Sequence, residues 1–247
     1  MRRALFLHTQ KTAGTSIQQI ARDLYGAVNV TSHAGYEELG VSGCQRIDFV
    51  SGHFGYEFAE PLMSGRYSFT FLRDPIERIL SLYSFSAGRP AGESPFYDVA
   101  REEGLEAFLR LAHRPEPIYR EMFWNHQTWQ LAYGRGAEFA GKSARVLDEF
   151  DGADMLAMAK RHLSRFNFVG LVEQFDEDAA TIFRALGAER VQMTRANASA
   201  NRPGPDSLPL STMDLLHEMT DLDMELYRYA QALRRPGLKG KLRRLFN

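Results

Sequence analysis

Residues 3–24 constrain the fold of this chain more than any other stretch. Residues 3–8, Arg-Ala-Leu-Phe-Leu-His, form a short and mostly apolar run, long enough for a buried strand and too short for a helix. Residues 9–16, Thr-Gln-Lys-Thr-Ala-Gly-Thr-Ser, follow at once, small and hydroxyl-rich with one lysine. Ile17, Ile20, Ala21 and Leu24 then recur at i, i+3, i+4 and i+7, the apolar stripe of an amphipathic helix. A strand, a small-residue loop and a helix start bring free backbone N–H groups and the positive end of a helix dipole to one spot. Such a spot binds an anion, most often a phosphate. Lys11 adds a point charge to it, Thr12, Thr15 and Ser16 add hydroxyl donors, and Ala13 and Gly14 keep the loop small.

The order of residues is not that of a nucleotide-triphosphate loop. That pattern, G-x-x-x-x-G-K-[ST], sets the lysine after the second glycine with a metal-binding hydroxyl behind it. Here Lys11 precedes Gly14 by three residues. Composition narrows the class further. A length of 247 residues fits one α/β domain, or one with a small appendage, and 44% hydrophobic with 12% aromatic content supplies a substantial core. Thirty Lys and Arg against 31 Asp and Glu argue against a general nucleic-acid coat, so anion binding must rest on local clusters. The single Cys44 rules out an intrachain disulfide and a cysteine-rich zinc site. No apolar stretch approaches the ~20 residues of a membrane span, and no signal-peptide plan precedes the first strand, so a cytoplasmic location is expected.

A second anion motif lies downstream. Residues 26–46 read as a loop with little regular structure, and 46–51 as a second strand that delivers Gly52-His53-Phe54-Gly55 at its end. Open α/β sheets place their ligands at that end. Residues 67–72 make a third, β-prone strand running into Arg73-Asp74-Pro75. Asp74 suits a helix N-cap and Pro75 a first turn, and Ile76, Ile79, Leu80 and Tyr83 give the helix its apolar face.

Residues 11–16 resemble the 5′-phosphosulfate loop of sulfotransferases that use 3′-phosphoadenosine 5′-phosphosulfate (PAPS), and residues 69–83 resemble their 3′-phosphate-binding segment. More narrowly, the second segment is similar to the carbohydrate branch that includes the heparan and uronyl 2-O-sulfotransferases, in its bacterial form. In that family an Arg at the strand end and a Ser eight residues later hold the 3′-phosphate, and Arg73 and Ser81 match. A guanidinium fork grips phosphate oxygens, and a hydroxyl about two helical turns on faces the same pocket.

The resemblance implies a P-loop-type three-layer α/β fold with a mostly parallel central sheet flanked by helices. It implies in-line sulfuryl transfer from PAPS to a hydroxyl acceptor such as a glycan or lipid, with the bisphosphate PAP as product and no metal. It gives Lys11 the bridging oxygen, and the base role to a His in a Gly-His context after the second strand, matched by Gly52-His53. The 2-O-sulfotransferases carry another His two residues earlier, where this chain has Ser51, and the acceptor stays open among sugar, lipid, peptide tyrosine and small-molecule hydroxyls. The family folds a polar loop over the nucleotide, which makes Arg195, Ser199, Asn201 and Arg202 cofactor contacts. Residues 125–131 resemble an N-x-Q-T-x-x-L segment near the acceptor pocket; they read equally as a packing helix with Trp124 and Trp129 in the core.

The remaining segments read as helices over 98–111, 120–131, 151–166, 175–186 and 211–233, with a fourth strand at 168–172. One domain over 1–235 and a basic tail over 236–247 are expected, the tail either contacting an anionic membrane surface or ending as a solvated helix. Of the other histidines, His8 closes the first strand, His33 and His113 fall in loops, and His126, His162 and His217 lie on helices. Two alternatives stand beside sulfuryl transfer. A P-loop kinase would leave Arg73 and Ser81 without a role, and a non-catalytic nucleotide-binding protein would lack a productive base.

Overall fold

Alternation within the N-terminal apolar run decides the layers. The computed structural model describes residues 1–134, 151–192 and 203–234. Its strands are β1 (Ala4–Leu7), β2 (Phe49–Gly52), β3 (Tyr67–Leu72) and β4 (Phe168–Leu171), all parallel in the order β2-β1-β3-β4. The α-helices are α1 (Gly14–Tyr25), α2 (Gly35–Cys44), α3 (Tyr56–Met63), α4 (Pro75–Ala87), α5 (Pro95–Glu102), α6 (Gly104–Arg110), α7 (Pro117–Phe123), α8 (His126–Ala132), α9 (Gly152–Arg165), α10 (Phe175–Ala185) and α11 (Leu210–Leu233). Every residue of β1 is buried, with Ala4 and Phe6 packed in one apolar layer and Leu5 and Leu7 in the other. The first layer brings Ile17, Ile20 and Ala21 of α1 and Ile182 and Phe183 of α10 onto the sheet. The second brings Phe58 of α3, Trp129 of α8, Leu163 of α9 and Leu226 of α11. Parallel strands need this cover on both faces, so the three-layer α/β architecture follows. A third apolar cluster joins α4 to α6, α7 and α11 beyond the sheet.

Several boundaries differ from the sequence expectations, each for a local reason. The stretch read as a loop over 26–46 carries α2, whose Tyr36 and Cys44 are buried; a break at Gly40 (φ 60) interrupts the apolar pattern that would have marked it. The helix expected over 98–111 is two, because Gly104, at the start of α6, has φ +84 and breaks it from α5. The helix expected over 120–131 is also two. Asn125 adopts a left-handed conformation (φ 42, ψ 43), and its side-chain oxygen accepts the N–H groups of Leu222 and Asp223, each at 3.0 Å. Asp74 caps α4 as expected, accepting from Glu77 N–H, and Asp151 caps α9, accepting from Ala153 N–H. Among the described residues no helix is long and apolar enough to cross a membrane.

Candidate active site

The loop between β1 and α1 is held in a conformation that few residues adopt. Lys11 (φ 65) and Ala13 (φ 63, ψ 20) both lie in the left-handed region, which costs of order 1 kcal/mol or more for a residue with a Cβ. Left-handed residues alternating with their neighbours turn successive N–H groups to one side, the geometry of an anion nest. The N-cap Ala13 supplies no side-chain cap to α1. Lys11, Ala13, Gly14, Thr15 and Ser16 all line a cavity of about 1240 Å³. The Thr12 hydroxyl does not reach that cavity: it is buried and donates to Thr9 O at 2.7 Å, bracing the loop from behind. A kinase would need the hydroxyl after its loop lysine on a metal, and here it is turned away. Gly14 is needed for another reason. A Cβ at this position would lie 1.7 Å from Nε2 of His8.

The far wall of the cavity comes from the end of β3 and the start of α4. Arg73, Glu77 and Ser81, four residues apart, all line it, as one helical face should. The Arg73 guanidinium donates to Lys11 O at 3.3 Å and pairs with Glu77 at 3.4 Å, tying the two anion motifs together. Lys11 Nζ rests 3.8 Å from the centre of the Phe85 ring. Burial first, then the charges of Arg73 and Arg78, push its pKa down to about 8.

Helix α8 holds these strand ends in place. The Gln127 side chain accepts from Arg73 N–H and donates to Arg73 O, both at 3.0 Å. Gln130 Nε2 donates to His8 O at 3.2 Å and Phe54 O at 2.9 Å. Buried Asp223 of α11 in turn accepts from Gln127 N–H (3.2 Å) and from the N–H and hydroxyl of Thr128 (both 2.7 Å). The 125–131 segment is thus a clamp, with Trp129 in the core; Trp124 is only partly buried and donates to Ala112 O.

Parallel register then assembles a histidine cluster. Leu7 pairs with Gly52, so His8 and His53, the next residue on each strand, emerge side by side with ring centres 4.3 Å apart. Nδ1 of His53 is 2.9 Å from His8 O. A carbonyl only accepts, so Nδ1 carries the proton and the neutral ring keeps its lone pair on Nε2. His33, carried by the chain before α2, completes the group. Its carbonyl accepts His53 N–H at 3.2 Å, its ring stacks on His53 at 5.1 Å, and its Nδ1 lies 3.0 Å from Nδ1 of His8. All three histidines line the cavity. Burial, followed by His53, His33 and Lys11, holds the pKa of His8 well below 6.5; burial and then Arg22 lower that of His33. Both rings are therefore neutral near pH 7.

Ser51, at the place of the second family histidine, is buried, accepts from Gln18 Nε2 (3.2 Å) and donates its N–H to Thr31 Oγ1 (2.6 Å). His126 and His162 bond backbone carbonyls of Glu121 and Leu131 away from the cavity, and His113 and His217 are exposed. Sequence reasoning missed His33, whose loop carries no motif, and Gln127 and Gln130 as positioning groups. That His8 and His53 each end a strand was readable, but their pairing follows from the register of the sheet. Arg195, Ser199, Asn201, Arg202 and the 236–247 tail lie outside the described residues.

The sequence profile described as the sulfotransferase family matches residues 2–230. Galactose-3-O-sulfotransferase 3 of Bos taurus is 27% identical over 251 residues, covering 92% of this chain and 55% of that protein. The chain thus spans about half the length of this curated relative.

Proposed function

The chain belongs to the sulfotransferase family, and from that premise we propose that it moves a sulfuryl group from PAPS to a hydroxyl of a carbohydrate-like acceptor. The donor set supports a nucleotide with an anion at each end. On one side are the uncapped start of α1 and Lys11, and on the other Arg73 and Ser81. Lys11, Ala13, Gly14, Thr15, Ser16 and the main chain at Thr12 would hold the 5′ end, and Arg73 and Ser81 the 3′-phosphate. Arg195, Ser199 and Arg202 would close over the nucleotide. When bound, PAPS supplies the sulfuryl group and departs as PAP. A cavity of about 1240 Å³ exceeds the ~300–1,000 Å³ of most small-ligand sites, so the nucleotide and part of an acceptor fit together. The name of the bovine relative points to a sugar hydroxyl; glycans and glycolipids are the first acceptors to screen. A cytoplasmic location, a single domain over 1–235 and a basic tail that either meets an anionic surface or ends as a solvated helix belong to the same proposal.

Within this reading the protein's own groups divide the work. The Lys11 ammonium and the α1 N–H groups offset negative charge on the departing phosphate oxygen. His53 accepts the acceptor's proton on Nε2, because its Nδ1 is tied to a carbonyl and its ring is oriented by that bond. Gln130, bonded to the same His8 carbonyl, holds the strand end from which the base is oriented. No step asks for a metal. The observation that carries the proposal is the Leu7–Gly52 register, which sets a histidine with a fixed tautomer beside the anion cradle.

His53→Ala tests it. PAP binding should persist while turnover on a verified acceptor falls by about 10²–10⁴, the usual range for a positioned base. Full turnover in that variant would transfer the base role to His8. Loss of PAP binding would recast His53 as a structural part of the pocket.

A further inference from the structure

We propose that His8, His33 and His53 form a binding site for one borderline transition-metal ion, Zn²⁺, Ni²⁺ or Cu²⁺, which shuts off the base. Each of the three offers one ring nitrogen, and these atoms lie within 4.8 Å of one another. Two features go beyond proximity. Nδ1 of His8 and Nδ1 of His33 are 3.0 Å apart, within a few tenths of the ~3.3 Å that two ~2.0 Å bonds require at a tetrahedral metal. Two nitrogens so placed share either one proton or one metal. His53 supplies the other feature. Its Nδ1–H donates to a backbone carbonyl, the outer-shell arrangement that fixes a ligating imidazole and leaves Nε2 to the metal.

The scaffold is also preformed. His8 N–H donates to Gly52 O at 3.0 Å and His53 N–H to His33 O at 3.2 Å, so short main-chain links join the three positions. No carboxylate joins the group among the described residues, and the Lys11 charge stands nearby. Hard oxygen-seeking ions such as Mg²⁺ and Ca²⁺ gain nothing there, whereas ions that bond imidazole do. Three protein nitrogens leave a fourth position open to the cavity.

Inhibition rests on the reading of His53 as the base, since one lone pair cannot serve both a metal and a proton. Metal binding itself does not rest on it, and the two are measured apart. The full chain, stripped with a chelator, is titrated with Co²⁺ and followed by its visible absorption. One equivalent should bind with the intense band of a tetrahedral nitrogen site, displaced by Zn²⁺ and untouched by Mg²⁺. His33→Ala should weaken Co²⁺ binding by more than about 100-fold, because even an outer-shell partner of a ligating His is worth 10–100-fold. His113→Ala, in an exposed position, should keep the band. PAP binding and melting report whether His33→Ala is folded, with His33→Gln as the substitute if it is not. Absence of a stoichiometric site, or a band that survives both His33 variants, overturns the proposal. One equivalent of Zn²⁺ should also stop transfer, with recovery on chelation; continued transfer at full occupancy removes the inhibitory half. Co²⁺ binding with an active His53→Ala would defeat the base reading alone, and the reverse pair of results would defeat the metal site alone.

Discussion

Gln127 offers a sharp test of how the 3′-phosphate pocket is held, because it touches only the main chain of the residue that would grip the phosphate. Its amide closes both sides of Arg73, accepting from N–H and donating to C=O at 3.0 Å. Gln127→Met keeps the side-chain length and the helix propensity of α8 while removing both bonds. The two main-chain groups of half-buried Arg73 then lose these two bonds. At ~1–2 kcal/mol for each, the variant should lose about 2–4 kcal/mol. For a chain of this size that is a fall in melting temperature of roughly 4–16 °C. The binding effect is separate. A charge-assisted grip worth ~1.5–3 kcal/mol loses much of its value once its anchor drifts, so PAP should bind about 5–10-fold more weakly. Adenosine 5′-phosphate, which lacks the 3′ group, should change by less than about twofold. Calorimetry with both nucleotides and a thermal melt decide the matter, with Arg73→Ala as the limiting case that removes the 3′ preference altogether. An unchanged melting temperature would show that the clamp bears no load. Equal weakening of the two nucleotides would refute Gln127 as a positioning residue for the 3′ pocket.

Two further outcomes follow from other parts of the site. Lys11 in the free protein titrates at about 8, and only its charged form attracts phosphate. Affinity for PAP should therefore be fully present below pH 7 and decline as pH rises through 8, with proton uptake on binding near that pH; Lys11→Arg should flatten the dependence, and a profile that stays flat in the wild type would contradict it. Gly14→Ala drives a methyl into the His8 ring, 1.7 Å from Nε2, and should cost ~1–3 kcal/mol as overpacking does. Adding His8→Ala should relieve much of that loss, whereas simple additivity of the two substitutions in a thermal melt would show that the ring and the glycine do not meet.

Local sequence determined the pieces of this protein whose causes are local. The run at 3–8 had to be a strand, the small loop behind it had to start a helix, and Asp74-Pro75 had to cap the next one, because propensity, capping and apolar period act between near neighbours. With two such strand–loop–helix units in hand, Lys11, Gly14, Arg73, Ser81 and His53 were all readable, and each lines the cavity. The boundaries that shifted are also local in origin: Gly104 and Asn125 enter the left-handed region where a longer apolar stripe suggested one continuous helix. What the sequence did not reveal are encounters between distant segments. His33 meets His8 across 25 residues and Gln127 meets Arg73 across 54. Asp223 reaches back 96 residues to cap the helix that carries the clamp. No spacing rule marks such partners, since their meeting depends on the order β2-β1-β3-β4 and on how the helices cover each face of the sheet. The register Leu7–Gly52 belongs to the same class. Each strand end was legible by itself, but only the packed sheet brought two imidazoles level beside the cavity.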